Sequence, residues 1–245
     1  SRFPPAGVEE SGTLHLKVLM PSLRDLLSGS SDLDALNSLV KKNRAPKRAA
    51  HKVSLPRTPL DIPDFVALDL ETTGLDAKVD RIIEIGALKF IGGRIVEDLS
   101  MFVNPGIPIP GVITDLTGIR DEDVAQAVSY SEVAQRLLSF IGTMPLCGHQ
   151  IDFDIAFINE ENQRLGLPKL AVAILDTALL SRIALPRLGS YALRYVAGNL
   201  GVKLLSAHRA LDDARAAGES ALLLINKMLE LAPDTRRAMA RFAPA

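Results

Sequence analysis

Two acids stand two residues apart in Asp69-Leu70-Glu71-Thr72-Thr73-Gly74, at the end of the apolar run Phe65-Val66-Ala67-Leu68. Side chains alternate across a strand, so both carboxylates point to one face. Like charges held side by side repel unless a cation lies between them. With a glycine turn behind them that admits a second backbone, they read as half of a divalent-metal site. A polar strand end that happens to carry two acids explains this segment alone equally well.

Three further places hold acids in a similar setting. His149-Gln150-Ile151-Asp152-Phe153-Asp154 follows a short apolar run and opens a helix, where the dipole alone would favour Asp152 and Asp154. Asp176-Thr177 ends another short apolar run, and an N-cap is its simplest role. In His208-Arg209-Ala210-Leu211-Asp212-Asp213-Ala214-Arg215 a loop histidine precedes a helix that starts with two acids. Capping explains one of those acids. It does not explain His208 together with both, and with the pair at Asp69 and Glu71.

The elements that must position these groups follow from periodicity. Runs at 65–70, 82–90 and 94–103 read as strands, with Gly92-Gly93 as a two-residue hairpin turn, which gives an antiparallel meander. Helical patterns follow at 131–141, 153–165, 177–184, 191–199 and 211–231, with short buried parallel strands at 146–148 and 172–175 between them. The fold class is α/β, a mixed five-stranded sheet flanked by helices. Ahead of it, 13–42 reads as two short helices. A segment rich in Lys, Arg and Pro between Lys41 and Asp64 is a linker. The expected organisation is an N-terminal helical segment and basic linker at 1–63, a catalytic domain at 64–232 and a tail at 233–245.

At 245 residues and 47% hydrophobic, the chain can bury a sizeable core. No stretch approaches the roughly 18–20 apolar residues that cross a bilayer, and no charged-then-apolar leader opens the chain, so a cytoplasmic protein with no membrane partner is expected. Cys147 is the only cysteine, which excludes an intrachain disulfide and a multi-cysteine zinc site and reads as a buried strand thiol. The net charge of −1 divides into +5 over residues 1–60 and −6 over the rest. A basic leader on an acidic region suits a protein that handles an anionic polymer through metal ions, and a solvated tail fits as well.

The ordered set Asp-x-Glu-Thr-Thr-Gly-Leu-Asp from Asp69, His-x-x-x-Phe-Asp from His149 and His-Arg-Ala-Leu-Asp-Asp-Ala from His208 resembles the three motifs of the DEDDh, or DnaQ-like, 3′–5′ exonucleases. That group includes the proofreading epsilon subunit of bacterial DNA polymerase III, ribonuclease T and oligoribonuclease. The resemblance spans about 64–230 and includes Asp80-Arg81-Ile82-Ile83-Glu84-Ile85-Gly86-Ala87 and Ile113-Thr114-Asp115-Leu116-Thr117-Gly118-Ile119. It implies a ribonuclease H-like fold, metal ligands at Asp69, Glu71, Asp154 and Asp213, and a catalytic His208. Nucleotide contacts are implied at Glu71, Thr72, Thr73, Gly74 and Leu75. His149-Gln150 departs from the usual His-Asn, outside the metal-binding acids.

Chemistry agrees with the implied set. Four carboxylates balance two Mg²⁺ or Mn²⁺ ions, which prefer oxygen ligands, and an imidazole with a pKa near 6.5 suits a general base. His149 reads as a structural, hydrogen-bonding histidine, and Phe153 as core, with stacking on a base as its alternative. The resulting expectation is a 3′–5′ exonuclease acting on 3′ ends of single-stranded nucleic acid, DNA favoured, with a DNA polymerase as candidate partner. The first and third motifs look closer to polymerase-associated and PolC-like domains than to oligoribonuclease. The alternatives are an exoribonuclease and a non-catalytic nucleic-acid-binding module.

Overall fold

The computed structural model describes residues 64–229. The expected helices within 13–42, the linker and the tail lie outside the described residues. Five strands form one sheet: β1 (Phe65–Thr72), β2 (Ile82–Ile91), β3 (Arg94–Phe102), β4 (Leu146–Gly148) and β5 (Ile174–Asp176), in the order β3-β2-β1-β4-β5. The first three run antiparallel, and β4 and β5 join parallel. Among the described residues seven helices accompany them: α1 (Gly111–Thr117), α2 (Asp121–Val124), α3 (Tyr130–Ile141), α4 (Asp152–Arg164), α5 (Thr177–Ala184), α6 (Leu193–Leu200) and α7 (Ala210–Leu229).

The expected α/β sheet is present, with the glycine pair turning β2 into β3. Several boundaries differ. β1 extends two residues past Leu70, so Glu71 and Thr72 belong to the ladder. β5 starts at Ile174, and α6 starts at Leu193 after an extended Ala192, while the Tyr191 hydroxyl donates to the Leu185 carbonyl at 2.8 Å. α1 and α2 were not expected, since seven and four residues are too short to display helical periodicity.

Strand alternation divides the core into two layers. Val66, Leu68 and Leu70 face one way, with Ile85 and Ala87, against Val133, Leu137 and Ile141 of α3 and Phe157 and Ile158 of α4. Those α3 residues recur at i, i+4 and i+8, and Ser129 with Glu132 forms the capping box that starts the helix. Phe65 and Ala67 face the other way, with Leu88, Phe90 and Cys147, against α7. Ala214, Ala217, Gly218 and Ala221 keep that face of α7 thin, so the helix lies close on the sheet. Cys147 is fully buried in β4, as expected. Among the described residues no helix is long and apolar enough to cross a membrane.

Candidate active site

Asp69 and Glu71 continue the face of β1 that starts with Phe65 and Ala67, and they therefore point toward α7. The first turn of that helix carries Asp213, which is buried. Asp154, also buried, comes from the first turn of α4, and its Oδ1 accepts a hydrogen bond from the Leu70 amide at 2.9 Å. This contact ties the start of α4 to β1 beside the acid pair. His208 is exposed on the loop before α7 and has a left-handed backbone, φ 62°. Its amide donates to Asp213 Oδ2 at 3.0 Å.

Glu71, His208 and Asp213 offer ligand atoms that all lie within 4.8 Å of one another. Asp213 Oδ1 is buried with no hydrogen-bond partner. A buried carboxylate oxygen without a donor, beside a second acid and an imidazole, fits a hard divalent cation. Asp69 and Asp154 stand outside that closest group but join it electrostatically. Burial raises the Asp69 carboxyl well above the usual range, and Asp154, Glu71, Asp213 and Glu84 each push it further. Burial, then Asp213, Glu84 and Asp154, lift Glu71 to about 8, with Arg209 opposing. Burial also raises Asp154 and Asp213, against backbone amides that favour their charged forms.

These shifts have a measurable consequence. Glu71 rises from 4.5 to about 8 on folding, so its contribution to stability is complete below pH 4.5 and is lost as pH climbs through 8. The melting temperature in EDTA is expected to fall between about pH 5 and pH 8.5, and Mn²⁺ to raise it more at the upper end. A flat metal-free profile across that window would show that the acids are not crowded.

The nucleotide contacts implied by the first motif divide into two groups. Thr72 and Thr73 are buried, and their hydroxyls serve the loop: Thr72 Oγ1 donates to the Gly74 carbonyl, while Thr73 Oγ1 donates to Asp80 Oδ1 and accepts from the Arg81 amide. They shape the turn. At Gly74 the close neighbour is the Asp80 carboxylate, 2.4 Å from where a Cβ would stand, and not a second backbone. Leu75, by contrast, is 48% exposed and lines a cavity of about 470 Å³ with Lys78, Phe153 and Lys169.

Phe153, read from sequence as core, is half-buried at that cavity and packs on Phe157 with ring centroids 4.8 Å apart. Its place directly before Asp154 was the available signal. Glu84 was also missed as a residue near the site. An acid inside Ile82-Ile83-Glu84-Ile85, on a strand buried on both faces, is the mark that identifies it. The expected capping role of Asp176 is present, with its side chain accepting from the Ala178 and Leu179 amides. His149 bridges Thr177 Oγ1 at 2.9 Å and the Tyr191 carbonyl at 2.7 Å, and burial lowers its pKa. It is a structural histidine.

Residues 66–220 match the sequence profile of the RNase_T family, described as Exonuclease. The chain belongs to this family. It is a DnaQ-like exonuclease domain. It is 41% identical over 168 residues to the PolC-type DNA polymerase III of Caldanaerobacter subterraneus, and 39% identical over 167 residues to that of Clostridium perfringens. Those alignments cover 69% and 68% of this chain and 12% of each relative. The chain thus spans a small part of the length of the curated relatives it matches. Its fold is similar to that of E. coli Exonuclease I in complex with a dA16 oligonucleotide, with TM-score 0.60 at 18% identity, covering 72% of this chain and 45% of the other. It is also similar to the nuclease domain of 3′hExo, a DEDDh family member bound to rAMP, with TM-score 0.58 at 20% identity, covering 69% and 95%.

Proposed function

We propose that this domain is a divalent-metal-dependent 3′–5′ exonuclease that releases nucleoside 5′-monophosphates from single-stranded DNA, in proofreading or repair. The observation that carries the reading is the meeting of Glu71, on a strand, with His208 and Asp213, on a loop and helix start far along the chain from it, with ligand atoms all within 4.8 Å of one another. Asp69, Glu71, Asp154 and Asp213 would hold Mg²⁺ or Mn²⁺, two ions in all. Bound ions supply charge neutralisation and Lewis acidity at the scissile phosphodiester.

The protein supplies the rest. His208 takes the proton of the attacking water on an imidazole nitrogen, from an exposed loop where it can then release that proton to solvent. Asp213 Oδ2, by accepting the His208 amide, fixes the loop that carries the imidazole. Leu75 and Phe153 at the cavity pack against the terminal base, in a lining of mixed charge where Lys78 and Lys169 stand with Asp76 and Glu160. The loop threonines hold this wall in shape.

Two facts favour DNA. The PolC-type relatives at 41% and 39% identity are DNA polymerases by name, and Exonuclease I was crystallised with DNA. Matched DNA and RNA oligonucleotides, single-stranded and mismatched duplex, incubated with and without EDTA, test the reading. Metal-dependent shortening of the DNA strand from its 3′ end is expected to exceed that of RNA. A preference for RNA would assign RNA trimming, and no shortening of either would assign a non-catalytic binding module.

The basic residues of the segment at 1–63 bind the phosphate backbone upstream of the cleaved end. Removing residues 1–60 is then expected to weaken oligonucleotide binding and to flatten the slope of log affinity against log salt by about 0.7 per lost contact. An unchanged slope would make the segment a plain tether.

A further inference from the structure

Glu84 occupies a costly place for an acid. It is 2% exposed, flanked by Ile83 and Ile85 on β2, and directly opposite Glu71 in the sheet. A lone carboxylate there would suffer both desolvation and repulsion. It is instead held by three donors from the segment that follows His208. Arg209 Nε approaches both oxygens at 3.2 Å, Arg209 Nη2 donates to Oε1 at 2.8 Å, and the Ala210 amide donates to Oε2 at 3.1 Å. The Arg209 guanidinium also lies 5.5 Å from the centre of the Phe102 ring on β3.

Two residues along the same face of β2 is Gly86. A methyl group there would fall 2.2 Å from the Ala210 carbonyl carbon and the Leu211 nitrogen. β2 is therefore bare where the segment crosses it, and charged where the segment is gripped. His208 itself has a left-handed backbone, φ 62°, uncommon for a residue other than glycine. Its amide is held by the Asp213 carboxylate on one side. The Arg209–Glu84 pair, one residue away, holds the chain on the other.

We propose that Glu84 and Arg209 are positioning residues, which fasten the 208–211 segment to β2 and so set where the His208 imidazole meets Glu71 and Asp213. The inference rests on the reading of His208 as the general base. A buried ion pair is weak evidence for stability in itself, and a pair that only held the fold together would act on melting and on every activity alike. A positioning pair acts through one side chain. Arginine is required because only its planar fork grips both carboxylate oxygens.

The test compares the full chain with its Arg209→Ala, Arg209→Lys and Glu84→Gln variants, each with and without His208→Ala. Turnover of a single-stranded DNA oligonucleotide in Mn²⁺ and amide hydrogen exchange are measured together. With His208 present, Arg209→Ala and Glu84→Gln are expected to lower kcat about 10–100-fold with KM nearly unchanged, and Arg209→Lys to recover only part. In the His208→Ala background the same changes are expected to cost little more. Exchange is expected to speed up at residues 208–211 and not along the rest of α7. Equal losses with and without His208, or unchanged exchange at 208–211, would overturn the proposal. A wild-type protein that cleaves nothing would overturn the nuclease reading instead, and the exchange comparison would still decide whether the pair fastens the loop.

Discussion

Exonuclease activity of the Asp213→Ala protein is expected to fall to that of wild type in EDTA, while the fold survives. Asp213 contributes three things at once: a buried oxygen without a partner, a neighbour for Glu71 and His208, and the acceptor that holds the His208 amide. Its charge also raises Glu71 and Asp69, so the metal-free protein gains from its neutralisation. Asp213→Asn is therefore expected to melt no lower than wild type in EDTA and to lose most of the increase that Mn²⁺ confers. Full activity, or an intact Mn²⁺ response in the asparagine protein, would remove Asp213 from the site.

His208→Ala is expected to lower kcat about 10²–10⁴-fold, the range for loss of a general base. That corresponds to roughly 2.7–5.4 kcal/mol of barrier. Because the side chain is exposed, melting should change little, and the increase conferred by Mn²⁺ should largely remain, since acids supply most of the ligands. His208→Gly is expected to lose the same activity and to melt no lower than the alanine protein, because glycine accepts a φ of 62° without strain. An unchanged rate in either variant would assign the proton transfer elsewhere.

The sheet and the longer helices were legible from sequence because their signals are local. Alternation shows in Phe65 to Leu70, the glycine pair marks its turn, and α3 carries both its stripe and its capping box. α1 and α2 were not, since a turn or two of helix beside Gly and Pro residues leaves no period to detect. The acids and His208 stood out as residue types in the wrong surroundings for a plain core. What sequence left open was how side chains are used once placed. Thr72 and Thr73 read as ligand contacts, yet their hydroxyls are taken by Gly74 and Asp80, two and seven residues away. Phe153 read as core and does pack against it, but its ring also reaches a cavity formed jointly with the loop after β1. Glu84 and Arg209 are 125 residues apart, and no periodicity links them.

Along β1, one row of side chains passes from Phe65 and Ala67 to Asp69 and Glu71 without changing sides. Inserting or deleting a single residue between Phe65 and Asp69 would turn one end of the strand against the other, carrying either the acids into the layer occupied by Leu137 and Phe157 or the phenylalanine out of its stack on Phe90. Length variation here would break either the chemistry or the packing. The number of residues in this one strand is therefore fixed by its core and its acids together.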